Sequence, residues 1–126
     1  MKTILVVEDE RPLLEAIKIK LTNNSFEVLT ARSVEQALDY VESTTTIDAI
    51  WLDHYLLGKE SGLDFVADLK KRDGKFRQIP IFVVSNTAGP DKMQSYIELG
   101  VDKYYIKAEH RLEDIIAGIK STLGVK

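Results

Sequence analysis

The sequence predicts an α/β fold in which five strands alternate with five helices. Five short apolar runs rich in branched residues recur along the chain, and a segment with helical periodicity follows each of them. The first, third and fourth runs are nearly continuous rather than alternating, which is typical of strands that are covered on both faces. This alternation favours an open parallel sheet with helices packed on both of its faces.

The five strand predictions rest on branched and aromatic residues, and they cover residues 4–7, 26–30, 49–52, 79–84 and 104–106. For a chain of this size, the usual arrangement is a doubly wound (βα)5 parallel sheet with the flavodoxin-like strand order 2-1-3-4-5. In such sheets, ligands bind beyond the carboxyl ends of the strands, next to the point where the strand order reverses.

The helix predictions rest on apolar residues at helical spacing. Pro12 lies in the expected first turn of helix 1. Ser33 and Gln36 form a capping-box pattern before helix 2. The five predicted apolar stripes are Leu14, Ile17 and Leu21; Val34, Leu38 and Val41; Leu63, Val66 and Leu69; Met93 and Ile97; and Leu112, Ile115, Ile116, Ile119 and Leu123.

Length and composition predict one globular domain over residues 1–126. The 17 basic and 20 acidic residues give a net charge of −3, which argues against a nucleic-acid partner. The absence of cysteine excludes a disulfide scaffold and is typical of a cytoplasmic protein. The apolar run of residues 3–7 is too short for a signal peptide or a membrane span, so we expect no membrane insertion.

Residues at the ends of four predicted strands suggest a site for phosphoryl chemistry. Glu8 and Asp9 follow strand 1, Asp53 follows strand 3, Ser85 ends strand 4 and Lys107 follows strand 5. Strands 1 and 3 flank the reversal point, so three carboxylates should converge there and repel one another. A hard divalent cation such as Mg²⁺ would offset this repulsion, and no His or Cys cluster favours zinc instead. Acids, a lysine and a hydroxyl around a metal suit phosphoryl transfer.

Four segments of the chain resemble the receiver domain of two-component response regulators (the CheY-like domain), and the resemblance covers essentially the whole chain. They are residues 4–10, 51–53, 81–85 and 100–107. The resemblance implies that Asp53 accepts a phosphoryl group from a phosphohistidine of a histidine kinase or histidine phosphotransfer protein. It also implies that Mg²⁺ is bound by Asp9 and Asp53, by Glu8 through water, and by the backbone carbonyl of Tyr55.

The same resemblance implies a switch rather than an enzyme with an external substrate. Lys107 would contact a phosphoryl oxygen, Ser85 would move toward the phosphoryl group, and Tyr104 would change rotamer with it. The acyl phosphate adds charge and acceptor oxygens, so these contacts exist only in the modified state. The receiver would assist its own phosphorylation and slow dephosphorylation. Its helix 4, strand 5 and helix 5 surface would signal to a downstream protein target by direct contact.

Several positions depart from the usual family pattern. Glu8 stands where Asp is commoner, and Asn86 stands where a very small residue is usual. Residues 54–58 lack the proline that usually precedes the glycine of this loop. We expect Tyr55, Asn86 and Thr87 to influence access to the acceptor and the lifetime of the phosphoryl group. In particular, we expect Tyr55 to shield the acyl phosphate from water.

The peptide bond after Lys107 is a further departure, because Ala108 stands where proline is usual. A cis bond before a non-proline residue costs about 3–4 kcal/mol, which favours a trans bond here and a less firmly held lysine. These departures leave open a phosphorylation-independent interaction module with the same fold.

An enzyme or cofactor-binding protein on a related fold is a further alternative. A flavodoxin needs a hydroxyl- and glycine-rich loop at residues 8–12, a haloacid-type phosphohydrolase needs an acid in place of Tyr55, and no P-loop motif is present. No residues are expected to remain for an output domain after helix 5. A stand-alone regulator and a receiver cut from a longer chain both stay open.

Overall fold

Five strands and five α-helices alternate in the computed structural model, which describes residues 1–43, 46–72, 74–86 and 89–125. The strands are β1 Thr3–Val7, β2 Glu27–Ala31, β3 Ala49–Leu52, β4 Ile81–Ser85 and β5 Lys103–Ile106. The helices are α1 Arg11–Asn23, α2 Val34–Ser43, α3 Gly62–Lys71, α4 Pro90–Leu99 and α5 Leu112–Leu123. Two 3-10 helices cover Gly74–Gln78 and Lys107–Glu109.

The strands form one parallel sheet in the order β2-β1-β3-β4-β5, which confirms the predicted doubly wound arrangement. Val7 at the end of β1 lies opposite Ala31 of β2 and Leu52 of β3. The strand order reverses between β1 and β3. The residues that follow these two strands therefore flank the crevice in which such sheets bind their ligands.

Two apolar clusters cover the two faces of the sheet, and this explains the continuous apolar runs of β1, β3 and β4. On one face, Leu5 and Ile50 pack with residues of α2, α3 and α4. On the other face, Val6, Trp51 and Phe82 pack with residues of α1 and α5. Every residue of these three strands is buried because neighbouring residues point into opposite clusters.

The bounds of four predicted strands are wrong by one or two residues. Strands β1 and β5 begin one residue earlier than predicted, β2 is shifted by one residue, and β4 begins two residues later and ends one residue later. Phe26 precedes β2, and Ile79 and Pro80 precede β4. Phe26 and Ile79 are nevertheless buried. The apolar character of these two residues therefore reflects their burial in the core, and it does not indicate that they pair with a neighbouring strand. The segment between α3 and β4 contains the first 3-10 helix, Gly74–Gln78.

The apolar stripe predicted for α4 is wrong. Ile97 is 51% exposed and Met93 is half-buried, whereas Tyr96 is completely buried. A tyrosine ring buries a large apolar area while its hydroxyl keeps a polar partner. A prediction from the spacing of aliphatic residues therefore does not include Tyr96. The face of α4 that packs against the rest of the protein is therefore centred on Tyr96.

The helix start signals are largely confirmed. Pro12 lies in the first turn of α1. Ser33 Oγ accepts a hydrogen bond from Gln36 N–H at 3.2 Å, as a capping box requires. A capping box also predicts that the Gln36 side chain accepts a hydrogen bond from Ser33 N–H. Here it accepts one from Arg32 N–H instead, at 2.7 Å. Among the described residues, none of the helices combines the length and apolar character needed to cross a bilayer.

Candidate functional site

Three carboxylates meet where β1 and β3 end. Asp53 N–H donates to Val7 O at 2.9 Å and Glu8 N–H donates to Ala31 O at 3.0 Å, so the sheet itself positions both acids. One carboxylate oxygen from each of Glu8, Asp9 and Asp53 lies within 4.8 Å of the other two. Glu8 and Asp53 are buried, and Asp9 is partly exposed. The structure thus brings together the three acids that follow these strands.

Lys107 extends into this acidic cluster from the end of β5. Its Nζ lies 2.9 Å from Glu8 Oε1 and 3.6 Å from Asp53 Oδ2. Its peptide bond with Ala108 is trans, as expected without proline, because the described residues contain no cis peptide bond. The trans linkage still leaves the ammonium within ion-pair distance of two acids.

Burial gives these acids unusual proton affinities. Burial, and then the charge of Asp53, raises the pKa of Glu8 to about 7 against the opposing influence of Lys107. Burial also raises the pKa of Asp53, again opposed by Lys107. Although burial lowers it, the Glu8 hydrogen bond and the Asp53 charge leave the pKa of Lys107 raised. Three carboxylates share one lysine in this cluster, so either a proton or a bound cation relieves their mutual repulsion.

Arg32, which the sequence analysis did not single out, supports the loop that carries the acids. Its Nε and Nη2 both donate to the backbone carbonyl of Asp9, at 2.9 and 2.7 Å. Glu10 N–H donates to Glu8 Oε2 at 3.2 Å. Arg32 follows β2, and only the pairing of β2 with β1 brings it to this loop. Its role therefore leaves no local sequence signal.

The side chain of Ser85, the last residue of β4, is hydrogen-bonded to that of Tyr104, the second residue of the neighbouring strand β5. Ser85 is completely buried, and Tyr104 is half-buried with its ring 5.7 Å from that of Tyr96. Burial raises the pKa of Tyr104, while a side-chain hydrogen bond with Ser85 lowers it. The hydroxyl that follows the fourth apolar run is therefore in contact with the tyrosine that the sequence analysis selected.

His54 is a second residue that the sequence analysis missed. Its Nδ1 lies 2.7 Å from the hydroxyl of Tyr96 in α4. Burial lowers the pKa of His54 and raises that of Tyr96, so a neutral imidazole and a protonated phenol share this hydrogen bond. His54 N–H also donates to Asp53 Oδ1 at 2.8 Å. These bonds connect the loop of Asp53 to α4, across 42 residues of sequence.

Tyr55 is 55% exposed two residues after Asp53. Lys92 Nζ of α4 donates to its hydroxyl at 2.9 Å and lies 4.7 Å from the centre of its ring. Asn86 is exposed directly after β4. Thr87, the third residue expected to influence access, lies outside the described residues.

Gly62 at the start of α3 allows a close approach of that helix to Asp53. A Cβ at this position would lie 2.5 Å from the Asp53 backbone oxygen and 2.7 Å from the Tyr96 hydroxyl. Gly62 N–H also donates to His54 O at 2.9 Å. Only glycine fits here without a shift of the backbone that carries Asp53.

Comparison with known proteins assigns the family. The profile of the response regulator receiver domain matches residues 4–120, and the chain belongs to this family of two-component signalling proteins. The phosphate regulon transcriptional regulatory protein PhoB of Pseudomonas aeruginosa is 34% identical over 122 residues, which cover 97% of this chain and 52% of PhoB. This chain thus spans about half the length of the curated relatives that it matches.

Solved structures have the same fold. The phosphorylated cyanobacterial phytochrome response regulator RcpA is 27% identical, with a TM-score of 0.81, over 96% of this chain and 90% of RcpA. A CheY-like receiver domain protein from Methanospirillum hungatei is 22% identical, with a TM-score of 0.87, over 98% of this chain and 94% of that protein.

Proposed function

We propose that Asp53 accepts a phosphoryl group from a phosphohistidine of a histidine kinase or histidine phosphotransfer protein, in a reaction that depends on Mg²⁺. The observation that carries this proposal is the cluster of Glu8, Asp9 and Asp53 oxygens within 4.8 Å, with Lys107 in ion-pair distance of two of these acids. Membership of the receiver family supports the same reaction. The similarity to phosphorylated RcpA is in line with it.

Asp53 supplies the nucleophile. Its carboxylate oxygen forms a bond to phosphorus while the phosphorus–nitrogen bond of the donor histidine breaks, and the nitrogen keeps the electron pair and takes up a proton. Lys107, 3.6 Å from Asp53 Oδ2, neutralises the phosphoryl oxygens as they approach. Mg²⁺, when bound, supplies further neutralisation of these oxygens.

The donor set of the acidic cluster fits a hard divalent cation. All of its ligand atoms are oxygens, and carboxylate oxygens with water are the ligands that Mg²⁺ prefers. Asp9 and Asp53 bind directly in this proposal, Glu8 binds through water, and the Tyr55 carbonyl completes the protein ligands. The surplus of acids over lysine in the cluster gives a cation a favourable place.

The proposed signal passes through Ser85 and Tyr104. Ser85 exchanges its hydrogen bond with Tyr104 for one with the phosphoryl oxygens, which exist only in the modified state. Tyr104 then repacks against Tyr96 of α4, its neighbour at 5.7 Å. The surface of α4, β5 and α5 changes, and a downstream protein target binds it.

The lifetime of the acyl phosphate depends on the residues beside Asp53 in this proposal. Tyr55, held by Lys92, limits the approach of water to the phosphoryl group. Asn86, exposed directly after β4, influences the same access, and so does Thr87, the second residue after Ser85 in the sequence. The receiver thus assists its own phosphorylation and slowly loses the phosphoryl group again.

The test uses phosphoramidate, a small donor with the same phosphorus–nitrogen bond as phosphohistidine. With Mg²⁺, the intact mass of the wild-type protein should increase by one phosphoryl group. Chelation of the metal should abolish the gain, and Asp9→Asn should reduce it at least about tenfold, the effect expected from losing a charged ligand. Glu10→Gln is the matched control, because Glu10 is exposed and outside the cluster, and it should react normally.

A gain of mass that is independent of Mg²⁺ would contradict the metal part of the proposal. If neither phosphoramidate nor a histidine-phosphorylated partner transfers its group, the phosphorylation-independent interaction module replaces the proposed function.

A further inference from the structure

Arg32, the first residue after β2, holds the backbone of the loop that carries Asp9. Its guanidinium donates two hydrogen bonds to the Asp9 carbonyl, at 2.9 Å from Nε and at 2.7 Å from Nη2. Arg32 forms no ion pair with a carboxylate in the part of the chain that the structure describes. The side chain therefore fixes the position of a peptide group, and it does not pair with an acid of the cluster.

The backbone of the same residue contacts the loop that carries Asp53. Leu57 N–H donates to Arg32 O at 3.0 Å, and Ser33 and Leu57 form an isolated parallel bridge. Arg32 thus joins two loops, one with Asp9 and the other with Asp53. The oxygens of these two acids belong to the proposed cation site, so the spacing of the loops sets the spacing of the ligands.

Mg²⁺ and Ca²⁺ carry the same charge but make different demands on such a site. Mg²⁺ requires nearly octahedral oxygens at about 2.0–2.1 Å, whereas Ca²⁺ accepts about six to eight oxygens at about 2.3–2.6 Å in flexible arrangements. A small error in the spacing of the two loops should therefore weaken the binding of Mg²⁺ more than that of Ca²⁺. A change in a nearby protein charge should act on both ions alike, because both carry two positive charges.

We infer that Arg32 is a positioning residue that makes the proposed cation site selective for Mg²⁺ over Ca²⁺. Its two hydrogen bonds to Asp9 O and its backbone contact with Leu57 keep the carboxylates of Asp9 and Asp53 at the spacing that the smaller ion needs. Arg32 acts through the backbone of these loops and not by contact with the ion. This inference deepens the proposed function and rests on its metal site.

The test measures the affinity of the metal-free protein for MgCl₂ and for CaCl₂, titrated separately at constant ionic strength. Nitrogen-15 proton correlation spectra follow two backbone amides that donate to acids of the cluster. Glu10 N–H donates to Glu8 Oε2 at 3.2 Å, and His54 N–H donates to Asp53 Oδ1 at 2.8 Å. Both signals should shift saturably when a cation binds, and the wild type should bind Mg²⁺ more tightly than Ca²⁺.

Two variants separate the geometry of the arginine from its charge. Arg32→Lys keeps the charge but lacks the planar pair of donors that bonds one carbonyl twice. Its affinity for Mg²⁺ should fall about tenfold, the lower end of the effect expected for residues that orient metal ligands. Its affinity for Ca²⁺ should fall less, so the ratio of the two affinities should fall severalfold. Arg32→Gln should lose the same preference, although removal of a cation alone would strengthen the binding of both ions.

Arg11→Gln is the matched control. Arg11 is exposed at the start of α1, so this variant removes a positive charge near the same loop and leaves the bonds to Asp9 O in place. It should keep the wild-type ratio of the two affinities. Retained dispersion of the spectra in every variant separates a loss of ion preference from a loss of folding.

An unchanged ratio of Mg²⁺ to Ca²⁺ affinity in both Arg32 variants would overturn this inference and leave the proposed function intact. Tighter binding of both ions by Arg32→Gln would show that the residue acts only through its charge, and it would overturn the inference as well. If the wild type bound neither ion, the metal part of the proposed function would fail together with this inference.

Discussion

At the scale of single residues, the proposed phosphotransfer depends on acids that the sheet holds in a buried and crowded position. Glu8 and Asp53 are both nearly inaccessible, and burial raises the pKa of each. A single lysine pairs with both of them among the described residues. The fold therefore keeps a site whose charges are unfavourable until a cation or a proton joins them.

Glu8 should make stability depend on pH in the metal-free protein. Its pKa is raised from 4.5 to about 7 on folding, so the folded state binds the proton more tightly than the unfolded chain. The free energy of unfolding should then fall as pH rises between these two values, and the fall should be smaller in Glu8→Gln. Urea unfolding with a chelator, from about pH 4.5 to about pH 7.5, measures both slopes.

Asp53, whose pKa is also raised, contributes a slope of the same sign that persists in Glu8→Gln. Identical slopes in wild type and variant would mean that Glu8 is not protonated in this range. Saturating Mg²⁺ should flatten the wild-type slope, because a cation stabilises the ionised carboxylate.

Tyr55 is expected to protect the phosphoryl group. Tyr55→Ala removes a ring that Lys92 holds beside the acceptor loop, so the acyl phosphate should hydrolyse severalfold faster. The decay of the phosphorylated mass after removal of the donor gives the rate. Leu57→Ala, which truncates another exposed apolar residue of the same loop, should decay like the wild type. A Tyr55→Ala rate equal to that of the wild type would refute the shielding role.

At the scale of elements, helices α3 and α4 are both in direct contact with the loop that carries Asp53. His54 shares a hydrogen bond with Tyr96 of α4, and Gly62 of α3 packs directly against the Asp53 carbonyl. These contacts connect the loop that carries Asp53 to both helices. The spacing of apolar residues gave no indication of these contacts, because they join polar groups that are distant along the chain.

Tyr96→Phe should lower the free energy of unfolding by about 1 kcal/mol, since it removes one largely buried hydrogen bond and leaves the ring in place. Urea unfolding at neutral pH measures this loss. Tyr40→Phe in α2 removes a hydroxyl with no described hydrogen bond and serves as the control. Equal stability of Tyr96→Phe and wild type would show that the His54 contact contributes nothing.

Gly62→Ala should both destabilise the protein, by about 1–3 kcal/mol, and slow phosphorylation, because its methyl group would displace the Asp53 backbone. Gly118→Ala in α5 is the matched control. There the new methyl group meets only the Tyr105 side chain, outside the acidic cluster. Phosphorylation of Gly62→Ala at the wild-type rate would contradict the account of this helix start.

At the scale of the whole molecule, the strand order could be predicted because parallel strands joined by helices follow strict connection rules. The convergence of Glu8, Asp9 and Asp53 followed from the same rules, since these residues come directly after strands that are neighbours. The position of Arg32 and the packing of Trp51 could not be predicted. They depend on side-chain orientation in the assembled sheet, which no local pattern encodes.

The measurement that tests the central claim most directly is the intact mass after incubation with acetyl phosphate, with and without Mg²⁺, for the wild type and Asp53→Ala. The account predicts that the wild type gains one phosphoryl group only with the metal, and that the variant gains none. A gain by Asp53→Ala would move the acceptor to another residue, and no gain by the wild type under either condition would contradict the proposed chemistry.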